Sequence, residues 1–137
     1  MGRWVFVDTS AFVGILLRRD EWHDPAMRGL EGLRQGRRRL MTSTDVFGEL
    51  VTSLRKWAGY ARAREVGESL QGSALVRIVE VDEGLRKAGW DHFVMHRFPS
   101  LSFVDCTSFA LMDRFGIEEA FTFDSDFRRA GYRMIPG

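Results

Sequence analysis

Four apolar residues, Trp4 to Val7, run without interruption and stop at a carboxylate, Asp8; a second apolar run opens just beyond it. Residues 3–8 are too short and too uniformly apolar for an amphipathic helix, so they predict a central strand buried on both faces. Ser10 to Arg18 predicts a helix. A second covers Pro25 to Gln35, with Asp24 as its cap and Pro25 at its first position, where the missing N–H costs nothing. Arg39–Thr42 reads as a short strand. From Asp45 the apolar residues Val46, Phe47, Leu50, Val51, Leu54, Trp57 and Ala58 recur at helical spacing, predicting a helix that ends near Gly59. A shorter helix follows to Leu70. The stretch LVRIVEV, residues 75–81, alternates apolar and polar side chains, which predicts a strand near a sheet edge. Asp82 opens a helix towards Arg97, Pro99 breaks the chain, and Phe103–Phe115 forms a helix closed by Gly116. EAFTF and YRMI end the chain as strands. Helices and strands alternate throughout, so the expected fold class is α/β: a three-layer α/β/α sandwich around a mostly parallel sheet of four to five strands. With no internal repeat, low-complexity tract or long linker, residues 1–137 read as a single domain, a size that buries roughly two thirds of its unfolded surface.

Composition narrows the class. The hydrophobic share of 45% with 28% charged residues is that of a globular protein, and no apolar run approaches the ~20 residues needed to span a bilayer. A single cysteine, Cys106, allows no internal disulfide and no thiolate zinc site; with no signal peptide, the expected compartment is the reducing cytoplasm. Flanked by Val104 and Phe109, Cys106 reads as a small buried core residue. The net charge is only +1, yet 18 of the 20 basic residues are Arg, clustered at Arg37–Arg39 and Arg128–Arg129. The planar guanidinium fork matches phosphate bidentately, so this composition merely permits a nucleic-acid partner; for any single Arg, codon bias or surface ion pairing is the simpler account.

Parallel strands concentrate chemistry at one edge. Each crossover helix runs antiparallel to the strands, placing its N-terminus at their carboxyl ends, where ligands bind in open α/β sheets. Asp8 ends the first strand, Glu49 lies in the early turns of the helix after the second, and Asp124 and Asp126 follow AFTF. Asp105 lies in the first turn of the helix leading into that strand. It also shares a helical stripe with Phe109 and Met112, so its carboxylate is directed along an apolar surface. Converging, partly buried carboxylates repel until a cation separates them, and oxygen-only ligands suit Mg²⁺ or Mn²⁺.

Each acid also has a structural role open to it. Asp8 can cap the helix that follows, Asp105 completes a Ser102-x-x-Asp105 capping box, Glu49 can be a solvated flank, and Asp124 and Asp126 suit the turn FDSDF. The three histidines, His23, His92 and His96, have no partner spacing near the acids and read as surface or packing residues. Phosphate-binding glycine loops and a Ser-His triad are absent from the sequence, which disfavours nucleotide-binding folds and triad hydrolases. Trp4, Trp22, Trp57 and Trp90 read as core or interface residues.

The motifs FVDTSAFV, STDVFGEL, LSFVDCTSFALM and FTFDSDF, in this order and in these contexts, resemble the PIN-domain family, the ribonuclease fold of VapC-type toxins. The similarity spans essentially the whole chain. It implies an acidic centre at Asp8, Glu49, Asp105 and a fourth acid, Asp124 before Asp126, holding one or two Mg²⁺ or Mn²⁺ ions. It further implies that Thr9 or Ser10, Ser102 and Thr122 orient those carboxylates. Cys106 stands where the family often carries alanine. The activity implied is metal-dependent hydrolysis of RNA, with a small antitoxin protein and a homodimer as implied partners. A catalytically inactive RNA-binding or interaction module is the alternative. A phosphatase using Asp8 as nucleophile would need a second Asp two residues on, where Ser10 stands.

Overall fold

The computed structural model describes residues 3–137. Strand β1 (Trp4–Val7) leads into helix α1 (Thr9–Leu16) and then α2 (His23–Gln35); β2 (Arg39–Ser43) is followed by α3 (Thr44–Ala58) and α4 (Tyr60–Gln71). Strand β3 (Val76–Val79) precedes α5 (Glu83–Met95) and α6 (Phe103–Phe115), and β4 (Glu119–Phe121), α7 (Asp126–Arg129) and β5 (Arg133–Ile135) complete the chain. The five strands form one sheet in the order β3-β2-β1-β4-β5, every neighbouring pair parallel. β1 is the middle strand and β3 an edge strand, as the two burial patterns require.

The sheet is covered on both faces. Val7, Leu40, Val76 and Phe121 face α1, α2 and α4. On the opposite face Phe6 stacks on Phe127 with ring centroids 6.3 Å apart, and Phe109 of α6 meets Phe127 edge-on at 5.0 Å. Val5, Phe6 and Val7 are fully or almost fully removed from solvent, which explains why β1 has no polar residue before Asp8. Among the described residues no helix is long and apolar enough to cross a membrane.

Several local expectations are corrected. α2 begins at His23, so Asp24 lies in the first turn and is not the cap; Pro25 sits one turn in, at a position whose N–H would still lack an intrahelical partner. The start is set upstream instead, where the Asp20 carboxylate accepts from the Trp22 N–H (3.1 Å) and the Asp20 carbonyl from the His23 N–H (3.0 Å). α1 stops at Leu16 and α5 at Met95, two residues short of Arg18 and Arg97 in each case. The stretch EAFTF is strand only to Phe121, because Thr122 and Phe123 turn away into the loop before α7, a four-residue helix that the pattern does not reveal. Of the tryptophans, Trp4 packs against the core, whereas Trp22, Trp57 and Trp90 are 42%, 70% and 54% exposed and are not core residues. Cys106 is fully buried, as expected.

Other caps follow the sequence. Ser43 accepts from the Val46 N–H at the start of α3, Asp82 from Leu85 at the start of α5, and Gly116 closes α6 in the left-handed conformation (φ 64°). α6, which carries Asp105, is pressed against α5 at Gly89. A Cβ there would lie 2.8 Å from Thr107 Cγ2 and 3.2 Å from the Thr107 backbone. Thr107 cannot yield easily, since its hydroxyl donates to Asp45 (2.8 Å) and approaches the Val104 carbonyl (3.1 Å). Overpacking costs ~1–3 kcal/mol, more than the up to ~1 kcal/mol gained from alanine's helix propensity. Gly89→Ala is therefore expected to lower the urea unfolding free energy by roughly 1–2 kcal/mol; an unchanged or raised midpoint would show that the α5–α6 contact is not tight.

Candidate active site

The all-parallel sheet delivers the acids to one edge. Asp8 is the residue after β1 and its N–H donates to the Phe121 carbonyl of β4 (3.0 Å), so two adjacent strand ends are locked together there. Asp105 enters from the N-terminus of α6, and Asp124 from the loop after β4. Carboxylate oxygens of these three residues lie within 4.8 Å of one another. Asp8 and Asp105 are buried, and Asp124 is half-buried.

Hydroxyls and backbone amides aim the three groups. Thr122 Oγ1 donates to Asp8 Oδ2 (2.9 Å) and accepts from the Asp124 N–H (3.0 Å). Its single proton is committed to Asp8, so in its 3.2 Å contact with Ser10 Oγ it is the acceptor. Ser10 Oγ also lies 3.3 Å from Asp8 Oδ2 and accepts from the Phe123 N–H (2.9 Å). Asp105 Oδ2 accepts from the Ser102 N–H (3.0 Å) while Ser102 Oγ accepts from the Asp105 N–H (3.0 Å), the reciprocal capping box. Asp124 Oδ1 accepts from the Asp126 N–H at 2.9 Å.

The structural roles open to the acids thus resolve individually. Asp8 is the N-cap residue of α1 by backbone conformation, but its side chain makes no capping bond, so its carboxylate is free for other work. Asp105 caps with one oxygen and joins the cluster. Asp124 likewise serves its turn and the cluster together. Glu49 is exposed and lies outside the group of three, on its rim, where Thr9 Oγ1 donates to Glu49 Oε1 (2.8 Å). Asp126 is not part of the cluster. It is 1% exposed, and its carboxylate accepts from Ser100 Oγ (2.7 and 3.0 Å) and pairs with Arg129 (2.9 Å). Sequence reasoning missed Ser100 and Arg129. The i,i+3 spacing of Asp126 and Arg129 was a legible signal for the second; no local pattern announces the first.

The electrostatics are those of an uncompensated negative site. Among the described residues, Asp8, Asp105 and Asp124 form no salt bridge. Burial, aided by the charges of Asp124 and Glu49, raises Asp8 to about 6 against the bonds it accepts. Burial and the neighbouring Asp8 and Asp124 raise Asp105 to about 7. Asp124 is raised as well, chiefly by burial. An all-oxygen donor set of this kind fits a hard divalent cation, whose charge would remove the repulsion and the penalty together. Histidine plays no part: His92 bonds Asp113 (2.8 Å) and His23 contacts the Gly14 carbonyl (2.7 Å). The Cys106 thiol, next to Asp105, is pushed up to about 11 by burial and stays protonated.

Comparison with known proteins agrees with this geometry. A family model described as PIN domain matches residues 5–132. The chain is 36% identical over 128 residues to the 23S rRNA-specific endonuclease VapC20 of Mycobacterium tuberculosis, covering 93% of this chain and 95% of that one. The crystal structure of that protein, described as a sarcin-ricin loop cleaving toxin, superimposes with a TM-score of 0.83 at 35% identity, covering 93% of this chain and 95% of that one. FitAcB from Neisseria gonorrhoeae (TM-score 0.68, 16% identity, 95% of each chain) shares the fold. So does VapBC2 from Rickettsia felis bound to a DNA fragment from its promoter (TM-score 0.67, 12% identity, 96% of each chain).

The raised acids have a signed consequence for stability. With folded values near 6 and 7 against an ordinary aspartate value of 3.8, the native state binds more protons than the unfolded chain between about pH 4 and 7, so stability falls as pH rises through that window. In EDTA the unfolding free energy should drop from pH 5 to pH 8 by an amount on the order of 4 kcal/mol, read as a lower melting temperature. Millimolar Mn²⁺ should restore much of it at pH 8. Asp105→Asn, which keeps an acceptor for the capping bond, should flatten the EDTA profile. A wild-type melting temperature independent of pH and Mn²⁺ would refute a shared cation site.

Proposed function

The chain belongs to the PIN-domain family, and from that premise we propose that it is a divalent-metal-dependent endoribonuclease of the VapC toxin type, working through Asp8, Glu49, Asp105 and Asp124. The observation that carries this reading is the convergence of three desolvated carboxylates, each with hydrogen-bond donors holding it in place and none with a basic partner. Such a centre is poised for Mg²⁺ or Mn²⁺. When bound, the cation supplies Lewis acidity towards a phosphate oxygen and lowers the pKa of an attacking water.

The protein's own groups divide the remaining work. Asp8, at the end of a rigid central strand, is the fixed anchor, and the Thr122 hydroxyl, itself contacted by Ser10, holds Asp8 Oδ2 in one orientation. Ser102 and the Asp126 N–H do the same for Asp105 and Asp124. Glu49, exposed on the rim and steadied by Thr9, is placed to accept a proton from the attacking water or to hold a second cation. Asp126 and Ser100 position the loop that carries Asp124 without touching the reacting atoms.

The substrate proposed is large-subunit ribosomal RNA, at or near the sarcin-ricin loop. What supports this is the 36% identity across nearly the whole of both chains to a protein so named. A small antitoxin as partner, a homodimer and a cytoplasmic location complete the reading, with residues 1–137 acting as one domain.

Purified, antitoxin-free protein should cut a sarcin-ricin hairpin RNA and intact 23S rRNA in Mn²⁺ or Mg²⁺ and not in EDTA. Asp8→Asn and Asp124→Asn should each lower kcat/KM by about 100-fold or more, and Asp126→Asn by less. Cleavage that persists in EDTA or in Asp8→Asn contradicts the mechanism. RNA binding without any cutting would put the inactive module in its place.

A further inference from the structure

α1 and α3 both start at the acidic centre, where Thr9 bonds Glu49, and both lead away from it. Eight residues on from Thr9 and from Glu49, about 12 Å at 1.5 Å per residue, the chain reaches Leu17, just past the end of α1, and Trp57, near the end of α3. These two residues line the same groove of about 480 Å³, closed at its far end by the turn into α4. Gly59 makes that turn with φ 90°, a conformation open to glycine, and so leaves Trp57 projecting into solvent. Trp57 is 70% exposed, an unusual position for the largest apolar side chain. Basic residues surround it. Arg18 and Arg19 line the groove and, among the described residues, form no salt bridge. Arg62 also lines it and pairs with the exposed Glu65. Lys56 lies 5.1 Å over the Trp57 ring, and Arg55 sits 5.0 Å over the exposed Tyr60 beyond the turn. The one acid in the groove, Asp20, is occupied by the Trp22 N–H.

An exposed aromatic flanked by unpaired arginines is the composition of a single-strand RNA subsite. The ring offers a stacking face to any base, and the guanidinium groups meet phosphates. The distance suits such a strand as well, since about 12 Å accommodates roughly three stacked nucleotides at ~3.4 Å each. Building on the ribonuclease reading above, we propose that the groove between α1 and the α3–α4 turn is an RNA subsite: Trp57 stacks an unpaired base about three nucleotides from the cut, while Arg18, Arg19 and Arg62, which line the same groove, hold the phosphates beside that base. Charge complementarity selects RNA as occupant, because a protein segment would have to supply acids to the same three arginines. Trp57, Arg18 and Arg19 are specificity-determining residues in this scheme, remote from the chemistry.

The test uses the full chain and a fluorescein-labelled sarcin-ricin hairpin RNA, with binding read by anisotropy in the Asp8→Asn background and turnover in the otherwise wild-type chain. Trp57→Ala should weaken binding roughly 5- to 30-fold and raise KM in parallel while kcat stays within about twofold; Trp57→Phe, which keeps a stacking face, should restore most of the loss. Arg18→Ala and Arg19→Ala should each reduce the slope of log affinity against log salt by about 0.7. Arg133→Ala, an equal charge loss at the amino end of the sheet, should change affinity less than about twofold. Because the substituted side chains are exposed, melting temperatures should match wild type. Unchanged affinity, KM and salt slope in the Trp57 and arginine variants overturn the subsite and leave the groove to another ligand, such as a protein segment. A wild type that cuts nothing while Trp57→Ala still weakens binding would defeat the ribonuclease reading and sustain the subsite.

Discussion

Three carboxylates held within 4.8 Å of one another repel, and the fold must supply the rigidity that keeps them there. The Thr122 hydroxyl is the joint on which this depends. It ties the end of β4 to the carboxylate at the end of β1 and accepts the amide of Asp124, so a single side chain fixes two of the three acids. The strands themselves are adjacent and parallel, joined at the same level by the Asp8 N–H and the Phe121 carbonyl. Loosening that joint would let the charges separate and hydrate, an electrostatically favourable change that the packed core of Phe6, Phe109 and Phe127 opposes. The capping box at Asp105 adds a second restraint. There the bonds that start a helix also hold a carboxylate against two others.

The features legible in the sequence are those governed by local periodicity or by parallel topology. An apolar run ending in Asp8 announces a buried strand with a carboxylate at its mouth, and the β-α alternation places every helix N-terminus at that same edge. The helical stripe of α3 and the Ser102–Asp105 pair were equally readable. The features that were not legible depend on contacts distant in sequence. α2 starts early because Asp20 orders the residues ahead of Pro25. That Asp124 and not Asp126 joins the cluster reflects Ser100, 26 residues before Asp126, which draws that acid into its own buried network. The exposure of Trp57 depends on how α4 leaves α3 at Gly59, and no apolar count predicts that a large aromatic will face outward.

The near-neutral net charge conceals a division of labour. At the carboxyl edge of the sheet Asp8, Asp105 and Asp124 stand without basic partners, while in the groove beside Trp57 Arg18 and Arg19 form no salt bridge among the described residues. Elsewhere some charged residues pair, as Arg38 does with Glu119 and Arg114 with Asp82. Exposed pairs of this kind contribute little to stability, so leaving Arg18 and Arg19 unpaired costs the fold almost nothing. Leaving Asp8 and Asp105 unpaired costs it considerably more, since both are buried. Stability alone therefore does not account for the acidic centre.

That asymmetry bears on how such an enzyme selects its RNA. Under the proposed mechanism a compact acidic centre would recognise a phosphodiester through a bound cation, and every RNA offers the same diester. Discrimination must come from contacts away from the cut, where bases differ in whether they are free to stack. Remote contacts made equally in the ground and transition states set which RNA occupies the site, without accelerating the step itself. A rigid centre on strand ends, joined to an aromatic and basic groove on helix ends, separates these tasks physically. Substitutions in the groove can then change the preferred RNA while the hydrogen bonds that aim Asp8, Asp105 and Asp124 remain intact.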